Sequence, residues 1–437
     1  MKEALKLYLV TDRSLSLGRT LQEVVTEAVA GGVTMVQLRE KEASTGEMIV
    51  LAKQLQEILK PLNIPLIIND RVDVALAVDA DGVHIGQSDM PYNIARELLG
   101  PDKIIGLSVE SLDDIRAANR IDVDYIGISP VFATPTKLDT SKPFGINGLK
   151  EAVRLSTHPT VAIGGMNRAT IKDVMLTGCD GVAVVSAISS AESPKKASEE
   201  LKSIVNSNSQ TLWSQKIWRE SNKIYNAIIE QDFIKELAKG RLSIDKFSRY
   251  IAQDELYLKE YYPQMLKVAE MLYPADSQQL FKEIALSGME GEKLMHNFLI
   301  DKYGIESCSS ASEVTSGYLN TINEGIASDN ICIALAVMLP CMWIYNQVGL
   351  HILKIADLDN NPYKEWIMEY GNEEFTQGVN SVLDIIDNLA NSADNDTINK
   401  MSHYYLRAAL FEYAFWDYGY NGESKSYDYS NSLKEWI

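Results

Sequence analysis

Along the first half of the chain, short apolar runs alternate with longer stretches in which apolar residues recur every three or four positions. The short runs, rich in β-branched residues, fall at Leu7–Thr11, Met35–Leu38, Pro65–Ile68, Gly82–Ile85, Ile104–Leu107, Tyr125–Ile128, Thr160–Ile163 and Gly181–Val185, which predicts buried strands. Between them Leu21–Ala30, Thr45–Ile58, Ser111–Ala118 and Asn167–Leu176 carry the amphipathic helical period. Strands alternating with helices need crossover connections and hence a parallel sheet. Eight such units in roughly two hundred residues suit a closed (β/α)8 TIM barrel better than an open sheet.

The pattern changes after the polar break Ser207–Gln210. From Thr211 onward the apolar residues keep helical spacing, aromatics become common and strand-like alternation disappears. Helices are predicted at Thr211–Lys239, Ile244–Tyr262, Ile331–Ile355, Asn361–Ile386 and Thr397–Tyr418. The chain therefore reads as α/β then all-α, with a barrel over 1–206 and a helical domain over 211–437. Asn330–Leu353 carries no Asp, Glu, Lys or Arg and is long enough to span a bilayer. Pro340, Asn346, Gln347 and His351 within it, and its acidic amphipathic flanks, favour a buried central helix instead.

At 437 residues and 46% hydrophobic, the chain can bury large cores. Its net charge of −19 argues against nucleic acid or an anionic membrane as the main partner, so any anionic ligand must meet a local cluster of cations. The four cysteines, Cys179, Cys308, Cys332 and Cys341, form no C-x-x-C pair and no close framework, as expected in a reducing compartment. Met1 is followed within a few residues by the first strand, which leaves no room for a signal peptide, and a cytoplasmic location is expected.

In a barrel of this kind chemistry sits on the loops that follow the strands. Those positions hold Gln37, Arg39 and Lys41; Asn69, Asp70 and Arg71; Gly86, Gln87 and Asp89; Ser108; Thr134, Thr136 and Lys137; Gly164-Gly165; and Ser186-Ala187. Asp70 and Asp89 could share Mg²⁺ while leaving room for water and phosphate oxygens. Arg39, Lys41 and Lys137 could neutralise a diphosphate, and the Gly164-Gly165 and Ser186 turns lie where a second phosphate is commonly held. One diphosphate and one monophosphate imply group transfer between two phosphorylated substrates. Any one of these residues alone reads as a surface charge or turn glycine; their recurrence at successive strand ends does not.

Gln37-Leu38-Arg39-Glu40-Lys41, Asn69-Asp70-Arg71, Gly82-Val83-His84-Ile85-Gly86-Gln87 with Asp89, Pro130-Val131-Phe132 through Thr136-Lys137, Ala162-Ile163-Gly164-Gly165 and Val184-Val185-Ser186-Ala187-Ile188 together resemble thiamine phosphate synthase over about the first 205 residues. The resemblance implies coupling of hydroxymethylpyrimidine diphosphate to thiazole phosphate with release of pyrophosphate, by a dissociative path. It implies Asp70 and Asp89 as Mg²⁺ ligands, and Arg39, Lys41, Asn69, Thr134, Thr136 and Lys137 around the diphosphate. Gln37 and Ser108 face the pyrimidine, and Gly165, Val185 and Ser186 the thiazole phosphate; Ser108 and Lys137 count among the catalytic groups. Ser129 departs from the glycine frequent before the proline. His84 is expected to pack in its strand.

In the helical half two carboxylates interrupt apolar stripes. Asp254 shares a face with Phe247, Tyr250, Ile251, Leu258 and Tyr261, and Glu412 with Tyr405, Ala408, Phe415 and Trp416. Buried carboxylates are costly unless paired, hydrogen-bonded or protonated, so a polar interior cavity is expected. Cys341, with Tyr345 on its face, could be a nucleophile there, or a small apolar filler as most buried cysteines are.

Four motifs carry a resemblance that bears on this choice: Tyr250-Ile251-Ala252-Gln253-Asp254 with Tyr257-Leu258, Leu339-Pro340-Cys341 with Trp343, Tyr345 and Val348-Gly349, Tyr363 with Trp366-Ile367 and Tyr370-Gly371, and Glu412-Tyr413 with Phe415-Trp416. They resemble the TenA family of aminopyrimidine aminohydrolases, or thiaminase II, on a haem-oxygenase-like fold. The resemblance implies Cys341 as nucleophile, Asp254 as the acid assisting its addition to the ring, Glu412 as donor to the departing amine, and Tyr257, Tyr345 and Tyr370 as pocket walls. Val314 stands where a tyrosine is expected and Met342 replaces an aromatic. A di-iron reading rests on Glu292 and His296 at i,i+4 and lacks further ligands on facing helices, since His351 and His403 have no carboxylate at matching spacing. A non-catalytic pyrimidine-binding or oligomerising helical domain is the competing class. Small-molecule substrates and a homo-oligomer are the expected partners.

Overall fold

The computed structural model describes residues 1–133 and 142–423. The chain divides into two compact units, Met1–Trp218 and Arg219–Ile437. In the first, eight parallel strands close into a barrel in sequential order: β1 (Leu7–Val10), β2 (Met35–Leu38), β3 (Leu66–Asn69), β4 (Gly82–Ile85), β5 (Ile104–Val109), β6 (Tyr125–Ile128), β7 (Thr160–Ile163) and β8 (Gly181–Val184). Each crossover carries a helix, and two helices begin with full capping boxes, Thr20 with Glu23 and Ser44 with Glu47. Such a box satisfies two orphan amides at once and fixes where the helix starts. The (β/α)8 expectation is met.

Alternate strand residues point inward, and they fill the barrel in layers. Tyr8, Val10, Met35, Ile67, Tyr125, Val161 and Ala183 form the core, with Leu5 of the short Lys2–Leu5 helix packed against them. That helix sits so close that a Cβ on Gly181 would lie 1.8 Å from the Leu5 carbonyl oxygen. The next inward layer changes character. Gln37, Asn69, His84 and Ser108 occupy it, so the floor of the barrel mouth is polar while everything beneath is apolar or tyrosine.

The second unit is all-α. Its long helices are Ile244–Met271, Ala275–Tyr303, Glu313–Ile326, Ile331–Ile355, Glu373–Ala390 and Asn395–Asn421, with Asp232–Ala238 and Lys364–Tyr370 as shorter ones; the Trp213–Ile229 helix runs across the division. Thr211–Lys239 and Asn361–Ile386, expected as single helices, are each two. The second breaks at Gly371-Asn372, where the Asn372 side chain caps the next helix by accepting from Phe375 N–H. Two helices were not anticipated. Ala275–Tyr303 leaves Leu280, Leu286, Leu294 and Phe298 exposed, which blurs its apolar stripe, and Glu313–Ile326 follows a polar turn. Ile244–Met271 also continues through Pro263, because Met265, Val268 and Ala269 beyond it are buried.

Ile331–Ile355 passes the length and hydropathy test for a membrane span, yet 89% of its most apolar window is buried in the protein. It is the central helix of this unit, packed against the Asn395–Asn421 helix, among others. Gly349 allows the Tyr370 backbone to approach it, since a Cβ there would lie 2.4 Å from the Tyr370 carbonyl oxygen. Gly349→Ala is expected to destabilise the helical unit by roughly 1–3 kcal/mol, the usual cost of overpacking. A denaturation curve in which the helical transition keeps its midpoint would contradict this packing.

Candidate active sites

The barrel mouth opens into a cavity of about 580 Å³. Gln37, Arg39, Lys41, Asn69, Asp70, Asp89, Ser108, Gly165, Val185 and Ser186 all line it. They come from β2, β3, β4, β5, β7 and β8 or the loops behind them, and closure of the barrel brings them together. Thr134, Thr136 and Lys137 lie outside the described residues. The walls also include Asp12, His84, Gln87, Glu110 and Asn167. Of these only Gln87 and His84 had been singled out, and His84 both packs in β4 as expected and reaches the cavity floor. Ser129 is buried and has no positive φ, so a glycine is not needed there. Gly164 and Gly165 do need to be glycine: they turn at φ 101° and 72°, and a Cβ on Gly165 would meet Phe132 Cβ at 2.8 Å.

The carboxylates set the electrostatics of this mouth. Lys41 Nζ holds Asp70 Oδ2 at 2.6 Å, and the Gly86 N–H donates to Asp89 Oδ2 at 2.7 Å. Asp70 takes a left-handed backbone at φ 62°, a conformation aspartate tolerates better than most residues. Burial raises the pKa of Asp89, the Gly86 N–H works against that rise, and the neighbouring Asp70 charge adds to it. Two hard oxygen ligands on adjacent strand ends, facing a cavity large enough for water and phosphate oxygens, suit Mg²⁺. Among the described residues no group of three or more His, Cys, Asp or Glu could hold a metal.

The helical unit gathers its polar residues internally. Every residue from Cys332 to Gly349 is buried except Cys341, which keeps some accessible surface. Its thiol lies among Glu412, Glu292, Asp254 and Tyr257 in the interior of the unit. Burial raises its pKa well above the usual thiol value, and the charges of Glu412, Glu292 and Asp254 raise it further; only the nearby Tyr257 hydroxyl among these acts the other way. The Tyr257 hydroxyl is itself buried with no hydrogen bond of good geometry. Trp366 and Trp416 have indole N–H groups in the same condition. Tyr250 stacks on Trp416 at 5.0 Å and 9°, and Tyr345 and Tyr370 complete an aromatic wall at 5.3 Å from each other.

Three carboxylates share this interior. Tyr318 Oη donates to Glu412 Oε1 at 2.6 Å. Tyr262 and Tyr370 donate to the two oxygens of Glu292 at 2.7 and 3.0 Å. Asp254 Oδ2 lies 3.2 Å from His296 Nε2. Burial pushes Glu412 up to about 8, against the Tyr318 hydrogen bond, and burial with the Asp254 charge pushes Glu292 up to about 7. For His296, burial opposes the charged ring, but the Asp254 hydrogen bond and the two acidic neighbours outweigh it, so its pKa rises. Tyr345 Oη pairs with Tyr250 Oη at 3.0 Å.

Of Glu292 and His296, considered from sequence only as a metal pair, His296 hydrogen-bonds Asp254, while Glu292 is held by Tyr262 and Tyr370 and feels the Asp254 charge. Tyr262 and Tyr318 were missed. The i,i+4 spacing of Glu292 and His296, on a face shared with buried Met295 and Leu299, was the available signal. Val314 and Met342 are buried apolar positions, and Tyr318, one turn beyond Val314, supplies a hydroxyl to the site.

A barrel mouth lined by cations, carboxylates and turn glycines and a helical interior built around a thiol and acids form two separate candidate sites. Comparison with known proteins agrees. Residues 7–188 match the thiamine monophosphate synthase family model, and residues 218–422 match the TENA/THI-4/PQQC family model. A thiamine-phosphate synthase from Vibrio campbellii is 57% identical over 198 residues, 45% of this chain and 97% of that protein. A thiamine phosphate pyrophosphorylase from Pyrococcus furiosus is 43% identical over 47% of this chain and 98% of its own, with a TM-score of 0.44. A TenA homologue from the same organism is 18% identical over 48% of this chain and 100% of its own, with a TM-score of 0.46. Through its first half the chain belongs to the thiamine-phosphate synthase family, and its second half carries a TenA-family domain.

A carboxyl whose pKa rises on folding contributes stability that is fully present below its unfolded value, 4.5 for Glu412, and is lost as pH rises through about 8. Glu412→Gln removes that loss. The urea midpoint of the helical unit in this variant, relative to the unsubstituted chain, is expected to increase between pH 5 and pH 9; a difference independent of pH would contradict a buried, proton-retaining Glu412.

Proposed function

We propose that this chain is a bifunctional enzyme of thiamine synthesis and salvage. The barrel couples hydroxymethylpyrimidine diphosphate to thiazole phosphate, giving thiamine phosphate and pyrophosphate. The helical domain hydrolyses an aminopyrimidine to hydroxymethylpyrimidine. The observation that carries this reading is the convergence of the described barrel motif residues on the mouth cavity, and of Asp254, Tyr257 and Glu412 around Cys341.

In the barrel the C–O bond between the pyrimidine methylene and the diphosphate breaks, and the electron pair leaves with the diphosphate. The thiazole nitrogen then uses its lone pair to form the C–N bond. Arg39, Lys41 and Asn69 hold the departing diphosphate, with Thr134, Thr136 and Lys137 assigned to the same task. Gln37 and Ser108 orient the pyrimidine; Gly165, Val185 and Ser186 hold the thiazole phosphate. Asp70 and Asp89 fit Mg²⁺, which when bound would neutralise negative charge building on the leaving group. No side chain attacks the substrate, so catalysis lies in charge stabilisation.

In the helical domain Cys341 Sγ bonds to a ring carbon while its proton passes to the Asp254 carboxylate and from there to a ring nitrogen, so that Asp254 serves as the acid in the addition. The C–N bond at the methylene then breaks, and the amine leaves as ammonia with a proton from Glu412. A pKa near 8 keeps Glu412 protonated at neutral pH for that step. Water adds to the methylene and returns a proton to Glu412, and expulsion of Sγ restores the ring and the thiol. Tyr257, Tyr345 and Tyr370 wall the ring. The product lacks the diphosphate that the barrel requires, so two phosphoryl transfers must lie between the two activities.

Cys341→Ala should lower ammonia release from aminomethylpyrimidine by roughly a thousandfold or more and leave coupling intact; unchanged ammonia release would end the nucleophile assignment. Asp89→Ala should cost coupling about a hundredfold or more and weaken Mg²⁺ binding measured calorimetrically in the full chain. Full retention of both would remove the metal role.

A further inference from the structure

A chain of hydrogen bonds crosses the barrel interior directly beneath the cavity. Gln37 Nε2 donates to Tyr8 Oη at 2.7 Å. Tyr8 Oη lies 2.9 Å from Tyr125 Oη, Tyr125 Oη 3.0 Å from His84 Nδ1, and His84 Nε2 2.9 Å from Ser108 Oγ. Both end residues, Gln37 and Ser108, line the cavity, whereas Tyr8 and Tyr125 are fully buried. Two strand glycines make room for the middle of the chain. A Cβ on Gly106 would lie 2.1 Å from Tyr125 Cζ, and one on Gly127 would lie 3.0 Å from His84 Cε1. Glycine weakens a strand interior, and its presence there commonly marks a close approach of this kind.

Each tyrosine hydroxyl has one proton and a neutral imidazole has one, so such a chain runs in one of two directions. In the first, Gln37 N–H donates to Tyr8, Tyr8 to Tyr125, Tyr125 to His84 Nδ1, and His84 Nε2–H to Ser108. The Ser108 proton must then point into the cavity, and the Gln37 carbonyl oxygen is left for a ligand N–H. In the second, the Gln37 carbonyl accepts from Tyr8 and Ser108 spends its proton on Nε2. The cavity then meets an amide donor and a serine acceptor. With its amide nitrogen on Tyr8, Gln37 is set for the first direction. Burial raises the pKa of both tyrosines, so neither link is broken by ionisation.

We infer that Tyr8, Tyr125 and His84 are positioning residues that fix the barrel pocket with an acceptor at Gln37 and a donor at Ser108, and thereby select an amino-substituted pyrimidine over its oxo counterpart. This rests on the pyrimidine-coupling reading of the barrel. An aminopyrimidine edge offers an N–H beside a ring nitrogen lone pair, the complement of that arrangement. An oxo-pyrimidine edge offers a carbonyl oxygen beside a ring N–H and needs every proton in the chain reversed. A site whose buried polar groups would be mispaired rejects such an analogue strongly.

The test compares kcat/KM for the amino- and oxo-pyrimidine diphosphates in the full chain and in Tyr8→Phe and Tyr125→Phe, which break the relay at different links. Each variant is expected to lose at least about tenfold of the preference for the amino substrate, with KM for thiazole phosphate unchanged. A folded variant that keeps the full preference overturns the proposal. Nitrogen-15 spectra of the unsubstituted chain give a second readout that needs no variant to fold. His84 should be neutral with its proton on Nε2, and a proton on Nδ1 overturns the proposal as well. Absence of any coupling by the unsubstituted chain would instead defeat the functional reading, while the His84 tautomer would still decide the direction of the relay.

Discussion

Taking a carboxylate out of water is costly unless a cation, a proton or a set of hydrogen-bond donors replaces the lost solvent, and both sites of this chain are organised around that demand. In the barrel mouth, Asp89 has the Gly86 N–H on one oxygen and Asp70 has Lys41, an arrangement still rich in negative charge for its size. Among the described residues of the helical unit, no lysine or arginine is drawn into the Cys341 network. Glu412 and Glu292 meet tyrosine hydroxyls and Asp254 meets His296. The first arrangement suits binding a divalent cation and phosphates, the second suits storing and delivering protons.

Fold geometry explains why each solution sits where it does. A closed parallel barrel sends the C-terminal end of every strand to one rim, so residues far apart in sequence, such as Gln37 and Ser186, share a cavity without any long side chain having to reach. A helical bundle has no such rim. Its polar site has to be enclosed between facing helices, and the nearly charge-free Ile331–Ile355 helix provides the apolar surround that pushes Glu412 and the Cys341 thiol toward their protonated forms.

The barrel was legible from sequence because its strands are short, β-branched and separated by capped helices, and because chemistry follows the strand ends by geometry alone. Thus Asp70, Asp89 and Ser108 could be placed at one mouth before any coordinates. His84 was read as a packing residue in preference to a general base, since nothing in its own strand reveals that Tyr125, forty-one positions on, reaches across Gly106 to meet it. In the helical half Asp254 and Glu412 announced themselves by interrupting apolar stripes. Glu292, His296 and Tyr318 did not, because their helices carry exposed leucines or start late and had not been recognised as helices. A polar residue signals burial only once the face it sits on is known.

On the proposed function, one chain holds two chemically independent sites, one dependent on a divalent cation and one on a thiol. The most direct measurement assays both reactions in a single preparation of the full chain after either chelation with EDTA or alkylation with iodoacetamide. Chelation should abolish pyrimidine–thiazole coupling and spare ammonia release, and alkylation should do the reverse, with an aminopyrimidine protecting the thiol. Loss of both activities under either treatment, or of neither under both, would contradict two independent sites.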